Sequence, residues 1–348
     1  MVSDRRVDPV VDLKVIEGRG PAEHEPGERP AWARRPGDPE HADAPGLRPV
    51  DALLVGWLLL TSILLLAFPH HVRAWPLYLS AHLVAMVAIL RGAAARPRHA
   101  ALRVLRDWYP ILMFIPLYSE LAVLTSIFTQ ARYDVWVAGW EQAIFGAQPS
   151  QTLRLALPQH ALSEYVHFSY FAYYFVPTTL AFWLYVTGAR AKFSRALTAT
   201  LLAFLGCCMI YVLFPVVGPY HHFGHPPASW WPGVFGPLSH TIVERGSSLG
   251  TAFPSSHTAV AVCVWLTAWR LSRPAFWALA LIVPALAFGT VYGGFHYAVD
   301  TVAGALLGAG AALVAPGLHT RVAAKIAGKH PSEGLQSFAS QGRGRRLD

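Results

Sequence analysis

The sequence predicts an all-α integral membrane protein with about eight transmembrane helices, the last six of which form one helical bundle. Three observations favour this fold class. Of the 348 residues, 54% are hydrophobic and only 14% are charged, whereas a soluble domain carries about 25% charged residues. Eight apolar runs are each long enough, or nearly so, to cross a bilayer. The loops between these runs alternate between rich and poor in Lys and Arg.

The first 50 residues are rich in Pro, Gly, Glu and Arg and poor in aromatic residues. Such a segment cannot bury enough apolar surface to offset its ordering entropy, so residues 1–50 are predicted to be a disordered cytoplasmic tail. No apolar stretch follows the charged N-terminus directly. We therefore expect no cleavable signal peptide, and the first span anchors the chain.

The apolar runs define the rest of the domain organisation. Residues 51–108 are predicted to hold two extra N-terminal transmembrane helices, residues 109–317 a six-helix core, and residues 318–348 a basic cytoplasmic tail. The sixth run is short and needs Ser255 and Ser256 at its start to reach the membrane surface. The eight runs cover residues 52–69, 74–91, 109–128, 165–187, 195–217, 257–270, 275–292 and 297–316.

The charges in the loops predict the orientation of the chain. Residues 91–108, 188–195 and 270–273 hold clusters of Arg and Lys, and the loops between them are sparse in both. The positive-inside rule then places both termini in the cytoplasm and the 218–256 loop outside it, in a bacterial-type inner membrane or a plasma membrane. These loops account for the formal net charge of +8, so no nucleic-acid partner is predicted.

Residues 132–163, between the third and fourth runs, mix aromatic and polar side chains. Trp and Tyr concentrate at the membrane surface, which favours an interfacial amphipathic helix pair broken at Gly146 and Pro149. A plain loop is the alternative. In the last run, Gly304 and Gly308 have the small-xxx-small spacing of closely packed helices.

The cysteines predict neither a disulfide framework nor a zinc ligand set. The three cysteines, Cys207, Cys208 and Cys263, lie within apolar runs and fit small packing residues. The His221-His222-x-x-His225 cluster precedes two prolines and is predicted to be loop, where a metal site, a polar contact to substrate and a neutral role all stay open. No metal or organic cofactor is predicted.

Glu120 is a carboxylate within the third apolar run. Intramembrane carboxylates are costly and are usually paired or functional. Two interpretations stay open for this side chain: it caps a polar pocket near the active face, or it pairs with a neighbouring helix.

Two short strings carry the chemistry. They are Phe253-Pro-Ser-Ser-His257 and His296-Tyr-Ala-Val-Asp300, and each stands where a polar loop is predicted to become an apolar helix. A His and an Asp four residues apart lie on one helix face. The carboxylate can then hold one imidazole nitrogen while the other nitrogen faces a substrate.

The types and order of these residues indicate a phosphate site. Backbone amides at a helix start favour anions, and the hydroxyls of Ser255 and Ser256 can cap the helix and bind phosphate. Gly294 lets the backbone approach a ligand closely. His296 is the candidate nucleophile, Asp300 orients it, and His257 is placed to protonate a leaving oxygen.

The two strings resemble the second and third signature motifs of the type 2 phosphatidic acid phosphatase superfamily, with Ser256 in place of the usual glycine of the second motif. The resemblance covers residues 109–316. It implies a phosphatidic acid phosphatase-type bundle, with His296 as nucleophile, Asp300 orienting it and His257 as general acid.

Three cations of many members are missing here. Tyr211 and Gly218 stand at the Lys and Arg of the first motif, and Thr290 stands six residues before the nucleophile, where those members have Arg. This pattern is similar to the inositol phosphorylceramide synthase branch, as are Phe214-Pro215 and Pro219-Tyr220 in the first-motif region. The Tyr133-Asp134 … Glu141 … Phe145-Gly146 … Pro149 stretch also resembles that branch. The likeness implies transfer of a phospho-headgroup between lipids.

Other side chains on the same side of the membrane are candidates to stabilise the phosphate, and we assign Tyr220 and Arg245 to this role. Further candidates are Arg132, Arg154, His221, His222 and His225. A phosphodiester carries one charge where a monoester carries up to two. A site with few cations therefore suits a diester donor.

The sequence thus predicts a membrane enzyme that acts on lipid phosphoesters through a covalent phosphohistidine and favours headgroup transfer, as an inositolphosphotransferase does. One alternative is a simple phosphatase for lipid phosphates or polyprenyl diphosphates. A second is a non-catalytic membrane protein that retains the fold. The predicted partners are lipids and the bilayer, and the oligomeric state is left open.

Overall fold

A computed structural model of the chain describes residues 46–95, 99–227, 230–231 and 233–328. These residues form fourteen α-helices, and the described part contains no strand apart from an isolated bridge between Val216 and Thr251. Most of the predicted N-terminal tail and the chain from residue 329 lie outside the described residues. The helices are α1 (Pro49–Ala67), α2 (Trp75–Ala94), α3 (Ala100–Leu112), α4 (Phe114–Leu124), α5 (Asp134–Phe145), α6 (Pro149–Ala156), α7 (His160–Ala172), α8 (Val176–Val186), α9 (Arg190–Leu213), α10 (Pro219–His222), α11 (Phe235–Gly246), α12 (Ser256–Leu271), α13 (Arg273–Tyr292) and α14 (Ala298–Ile326).

Five of the described helices are long and apolar enough to cross a membrane, namely α1, α2, α9, α13 and α14. The predicted all-helical, membrane-embedded fold class is confirmed in this form. The count of eight spans stays a prediction, because α12 has 16 residues and two other apolar runs are each divided between two helices.

The two divided runs break next to prolines. The run at 109–128 bends at Met113, between α3 and α4, with Pro110 and Pro116 on either side. The run at 165–187 breaks between α7 and α8, just before Pro177. A proline lacks the N–H that would bond to the carbonyl four residues earlier, so helices kink or end there. The division at residues 108 and 109 also falls inside α3.

The last helix extends ten residues beyond the predicted end of its span. Pro316 lies inside α14 and cannot donate to the carbonyl of Ala312, yet the helix continues to Ile326. The Arg270 guanidinium donates to that carbonyl at 3.3 Å and satisfies it. The predicted boundary at 317 and 318 therefore falls within a continuous helix.

The bundle core is formed by α9, α12, α13 and α14, and α12 packs most extensively against α14. Glycines set the separation of this pair. A Cβ at Gly304 would lie 2.4 Å from the carbonyl oxygen of Ser255, and one at Gly308 would lie 2.1 Å from that of Ala259. The predicted close helix packing is thus confirmed, and it joins the helices that carry the two signature strings.

A buried polar chain ties the N-terminal helices to the core. His82 of α2 lies 2.9 Å from the Glu120 carboxylate of α4, and its Nδ1 lies 3.0 Å from the hydroxyl of Ser62 in α1. All three side chains are buried. Glu120 therefore pairs with a neighbouring helix, which was one of its two predicted roles.

Candidate active site

A cavity of about 510 Å³ opens where α12 begins and α13 passes to α14. Its wall includes both signature histidines and several tyrosines. None of its lining residues, all of which are described, is a lysine or an arginine. Side chains on this wall include Tyr118, Tyr170, Tyr220, Ser256, His257 and His296.

His296 is held by the short connection between α13 and α14 and is 5% exposed. Its Nδ1 lies 3.0 Å from the carbonyl oxygen of Ala252 and 3.4 Å from the Asp300 carboxylate. The Ala252 carbonyl oxygen can only accept, so Nδ1 carries the proton and Nε2 is left as the basic nitrogen. Burial lowers the pKa of His296 to about 4, which keeps the imidazole neutral, as a nucleophile requires.

Asp300 is fully buried in the first turn of α14. Its carboxylate accepts the Tyr297 N–H at 2.9 Å, as an N-terminal cap does. Its backbone carbonyl accepts the Ser255 N–H, also at 2.9 Å. Asp300 thereby links the second signature string to the third through one residue.

His257 faces His296 across the cavity, with ring centroids 5.8 Å apart. Its Nε2 lies 3.3 Å from the hydroxyl of Tyr170, and the Tyr173 ring lies 4.3 Å from its own ring. The motif pattern predicted the histidine, whereas its tyrosine neighbours come from α7 and the turn that follows it. A wall of phenol groups supplies hydrogen-bond donors where charged groups are absent.

The two serines of the second string have different positions. The Ser255 hydroxyl accepts the Thr258 N–H at 3.3 Å and caps α12. Ser256 lines the cavity, and its backbone N–H donates to the hydroxyl of Tyr211 at 3.1 Å. Ser256 is therefore the one of the pair that is open to a phosphate.

The residues at the positions of the missing cations hold backbone instead. The Tyr211 hydroxyl donates to the Pro254 carbonyl at 2.8 Å in addition to accepting from Ser256. The Thr290 backbone carbonyl accepts the His296 N–H at 3.0 Å, and its hydroxyl lies 2.8 Å from that of Thr301 in α14. The Tyr211 side chain thus positions the second signature string, and the Thr290 backbone positions the third.

Gly218 fits a position that a side chain could not occupy. Its φ is +91°, which strains any residue but glycine. A Cβ there would also lie 3.0 Å from that of Ala252, the residue whose carbonyl meets His296. A cation at this position is incompatible with the observed backbone.

The other predicted ligands are only partly brought together. Tyr220 is buried on the cavity wall. Gly294 adopts φ +72° but is not on that wall; it lies against the backbone of Ser150. Arg245 is exposed in the last turn of α11 and does not line the cavity, so its phosphate role stays a prediction.

Most of the other arginines and histidines that were predicted to stabilise the phosphate have partners within the chain. Arg154 is buried and donates to the Trp230 carbonyl at 2.8 Å, and Arg132 donates to the Ser126 hydroxyl at 2.8 Å. His221 lines the cavity with its Nε2 3.1 Å from the Ser247 hydroxyl, and burial lowers its pKa. His225 stacks on Tyr220, with ring centroids 4.3 Å apart. His222 is exposed. In the described residues no three His, Cys, Asp or Glu side chains are grouped to hold a metal.

Asp134 and Glu141 of α5 are site residues that motif reasoning included only as part of a resemblance. Asp134 is buried and accepts the N–H groups of Val217 and Gly218 at 3.0 and 2.9 Å. The Tyr297 hydroxyl donates to the same carboxylate at 3.3 Å. One acidic side chain thus ties the first-motif loop to the nucleophile string.

Glu141 caps the helix that follows the nucleophile. Its carboxylate accepts the N–H groups of Ala298 and Val299 at the start of α14. Burial raises its pKa to about 7, and the two amide donors offset only part of that effect. Asp134 and Glu141 are seven residues apart, which places both carboxylates on one face of α5. This spacing is visible in the sequence and could have been used to assign both residues to the site.

Comparison with known proteins supports the same region of the chain. A profile of the PAP2 superfamily matches residues 135–314, just over half of the chain, and the match includes both signature strings. No curated protein and no solved structure matched the chain. The predicted superfamily is confirmed, and its inositol phosphorylceramide synthase-like branch stays a prediction. Matched over its helical core and its two histidine strings, the chain belongs to the PAP2 superfamily.

Proposed function

We propose that the protein is a membrane enzyme that transfers a phospho-headgroup between lipids through a phosphohistidine, in the manner of inositol phosphorylceramide synthases. Membership of the PAP2 superfamily supports a lipid phosphatase-type enzyme. The observation that carries the finer proposal is the cavity, in which His257 and His296 face each other and no lysine or arginine lines the wall.

In the first half-reaction the Nε2 lone pair of His296 attacks phosphorus, and the bond from phosphorus to the leaving lipid alcohol breaks. His257 donates a proton to that alcohol oxygen. The carbonyl of Ala252, 3.0 Å from Nδ1, holds the ring as it becomes positively charged, and the Asp300 carboxylate at 3.4 Å stabilises that charge.

In the second half-reaction the hydroxyl of an acceptor lipid gives its proton to His257 and attacks the phosphohistidine. The P–N bond breaks and His296 regains its lone pair. The mostly apolar and aromatic cavity wall suits a lipid acceptor, because it excludes the water that would otherwise compete.

The absence of lysine and arginine from the cavity wall bears on the substrate. Transition-state charge on a phosphate is usually stabilised by a large electrostatic term. Here the available groups are the Ser256 hydroxyl, tyrosine hydroxyls and the start of α12. Neutral donors of this kind suit a phosphodiester, with its single charge, better than a phosphomonoester with up to two.

A transfer assay tests the proposal. Purified protein in lipid vesicles would receive phosphatidylinositol labelled in its headgroup, with and without ceramide or diacylglycerol as acceptor. We expect labelled headgroup on the acceptor lipid and slow release of free phosphate from phosphatidate. Rapid hydrolysis of phosphatidate with no transfer to any acceptor would reject the transferase and favour the simple phosphatase, which superfamily membership also supports.

We also propose that both termini are cytoplasmic and that the cavity faces the other side. The basic segments 188–195 and 270–273 adjoin the ends of α9 and α12 that lie away from His257, which supports this orientation. The three native cysteines are buried and free, so introduced cysteines can report sidedness. An impermeant maleimide should label Glu244→Cys but not Lys325→Cys in intact cells, and the reverse result would overturn the orientation.

A further inference from the structure

A second cavity lies at the other end of the bundle, between α9, α12 and α14. Its volume is about 350 Å³. Arg270, on its wall, follows His257 by thirteen residues along α12, which corresponds to about 20 Å of helix. The two cavities are therefore separate sites joined by shared helices.

Two arginines line this second cavity. Arg195 comes from α9 and Arg270 from the last turn of α12, and none of the lining residues is acidic. Thr267 is 8% exposed, and its hydroxyl makes no hydrogen bond to an oxygen or nitrogen atom of the described residues; its polar neighbour is the Cys263 thiol. A thiol is a weak hydrogen-bond partner, so a buried hydroxyl of this kind, on a wall with two cations, is a feature that an anionic ligand with several oxygen acceptors would satisfy.

Arg270 is hydrogen-bonded to the backbone of α14, the helix opposite. Pro316 leaves the Ala312 carbonyl without its helical donor, and the Arg270 guanidinium donates to it at 3.3 Å. A guanidinium has five N–H donors, so this bond leaves most of them for a ligand. The carbonyl that Pro316 leaves without a donor thus orients the Arg270 guanidinium at the cavity wall.

The rest of the wall is apolar and comes from Ala199, Leu271, Ala312, Ala315 and Pro316. Two guanidiniums beside an apolar wall match a molecule that joins a phosphate to hydrocarbon. Basic pockets between transmembrane helices are a known way to bind anionic lipid headgroups. Guanidinium also matches phosphate geometry better than ammonium does.

We propose that this cavity binds a phosphate-bearing anion, and specifically the headgroup of an anionic phospholipid in the leaflet opposite the catalytic cavity. A free phosphate shares the recognising chemistry and is the competing source. The proposal does not depend on the catalytic activity, because it concerns binding at a different end of the bundle.

Binding to the purified full-length protein in detergent tests it. The probes are dioleoylphosphatidylglycerol, dioleoylphosphatidylcholine and inorganic phosphate, followed by native mass spectrometry. We expect the anionic phosphatidylglycerol to bind more tightly than the zwitterionic phosphatidylcholine. Arg195→Gln and Arg270→Gln should each weaken that binding about tenfold, because each removes charge-assisted hydrogen bonds. Arg273→Gln is the matched control, because its guanidinium lies over the Trp269 ring and not on the cavity wall, and it should change binding by less than about twofold.

A cavity-filling variant distinguishes binding inside this cavity from general attraction of the lipid to surface charge. Ala315→Leu keeps both guanidiniums and takes up part of the cavity volume, so it should also weaken binding of the anionic lipid, even if Arg270→Gln fails to fold. Unchanged affinity in Ala315→Leu and Arg195→Gln, or equal affinity for the two lipids, would overturn the proposal. Displacement of the lipid by millimolar phosphate, lost in Arg195→Gln, would keep the site and assign it to free phosphate.

Discussion

At the scale of single residues, a neutral side chain holds the backbone of a signature string at one of the positions where the first motif has a cation. Tyr211 illustrates the exchange, because its hydroxyl bridges the Pro254 carbonyl and the Ser256 N–H. Thr290 differs, because it holds the His296 N–H through its backbone carbonyl, and its side-chain hydroxyl lies 2.8 Å from that of Thr301 in α14. A cation at position 211 would thus remove a group that positions the second string, whereas a cation at position 290 would keep the carbonyl and lose the contact to Thr301.

Removing the bridging hydroxyl should cost both stability and activity. In Tyr211→Phe the Pro254 carbonyl and the Ser256 N–H lose a buried partner, and each unsatisfied group costs about 1–3 kcal/mol. We expect a Tm several degrees lower and a transfer rate reduced at least tenfold. Tyr78→Phe, on the N-terminal α2, is the control and should leave both values near wild type. A Tyr211→Phe protein with wild-type Tm would show that the bridge is dispensable.

The nucleophile assignment predicts a trapped intermediate. Protein incubated with a phosphorus-labelled donor lipid and quenched in alkali should retain label, because phosphohistidine survives base. His296→Ala should lose at least 99% of that label, whereas His222→Ala, an exposed histidine away from the cavity wall, should retain it. Label that persists in His296→Ala would move the nucleophile to another residue.

At the scale of secondary-structure elements, α5 acts as a clamp on the site. Asp134 binds the loop at Val217 and Gly218, and Glu141 binds the start of α14. A short helix before the fourth apolar run thus holds two parts of the chain that lie more than 70 residues apart. The predicted break at Gly146 and Pro149 is confirmed, because it separates α5 from α6, and the position of the pair at the membrane surface stays a prediction.

The raised pKa of Glu141 predicts a pH-dependent contribution to stability. In the folded protein this pKa is about 7, against about 4.3 in an unfolded chain. The folded state therefore binds the extra proton between these values, and the contribution falls as pH rises through that window, by at most about 1.4 kcal/mol per pH unit.

Glu141→Gln removes this titration. From pH 5 to pH 7 the Tm of wild type should fall relative to the Tm of Glu141→Gln. Above pH 7.5 the difference between the two Tm values should become constant. Thermal unfolding in detergent at half-unit pH steps measures it. A difference that stays constant across that range would contradict the raised pKa.

The same elements mark what sequence reasoning could predict. Hydropathy and the motif strings predicted the long apolar helices, the start of α12 beside Ser255 and Ser256 and the pairing of His257 with His296, because these follow from local pattern. They did not predict α10 and α11, which lie in the predicted 218–256 loop, and the prediction of loop at His221 and His222 is wrong, because both lie in α10. The partners of Asp134 and Tyr211 could not be predicted, because their bonds join residues 83 and 43 positions away. Continuation of α14 past Pro316 likewise depends on Arg270, a residue of another helix.

At the scale of the whole molecule, three helices connect the catalytic cavity with the basic cavity. α9 and α12 line both cavities, and α14 lines the basic cavity and carries Asp300 next to His296. α12 and α14 approach each other closely at Gly304 and Gly308. His257 lies at the start of α12, and Asp300 lies at the start of α14, which is at the same end of the contact between the two helices. The separation of the two helices therefore sets the distance between acid and nucleophile.

Substitution of these glycines should disturb chemistry and stability together. In Gly308→Ala the new Cβ would lie 2.1 Å from the Ala259 carbonyl oxygen, a backbone atom that cannot move without shifting α12. Overpacking of this kind costs about 1–3 kcal/mol, so we expect a lower Tm and a lower transfer rate. Gly310→Ala is the matched control on the same helix, because nothing lies within 4 Å of its Cβ. Alanine there should raise helix stability by up to about 1 kcal/mol. If the two variants unfolded at the same temperature, close contact between α12 and α14 would not limit the stability of the bundle.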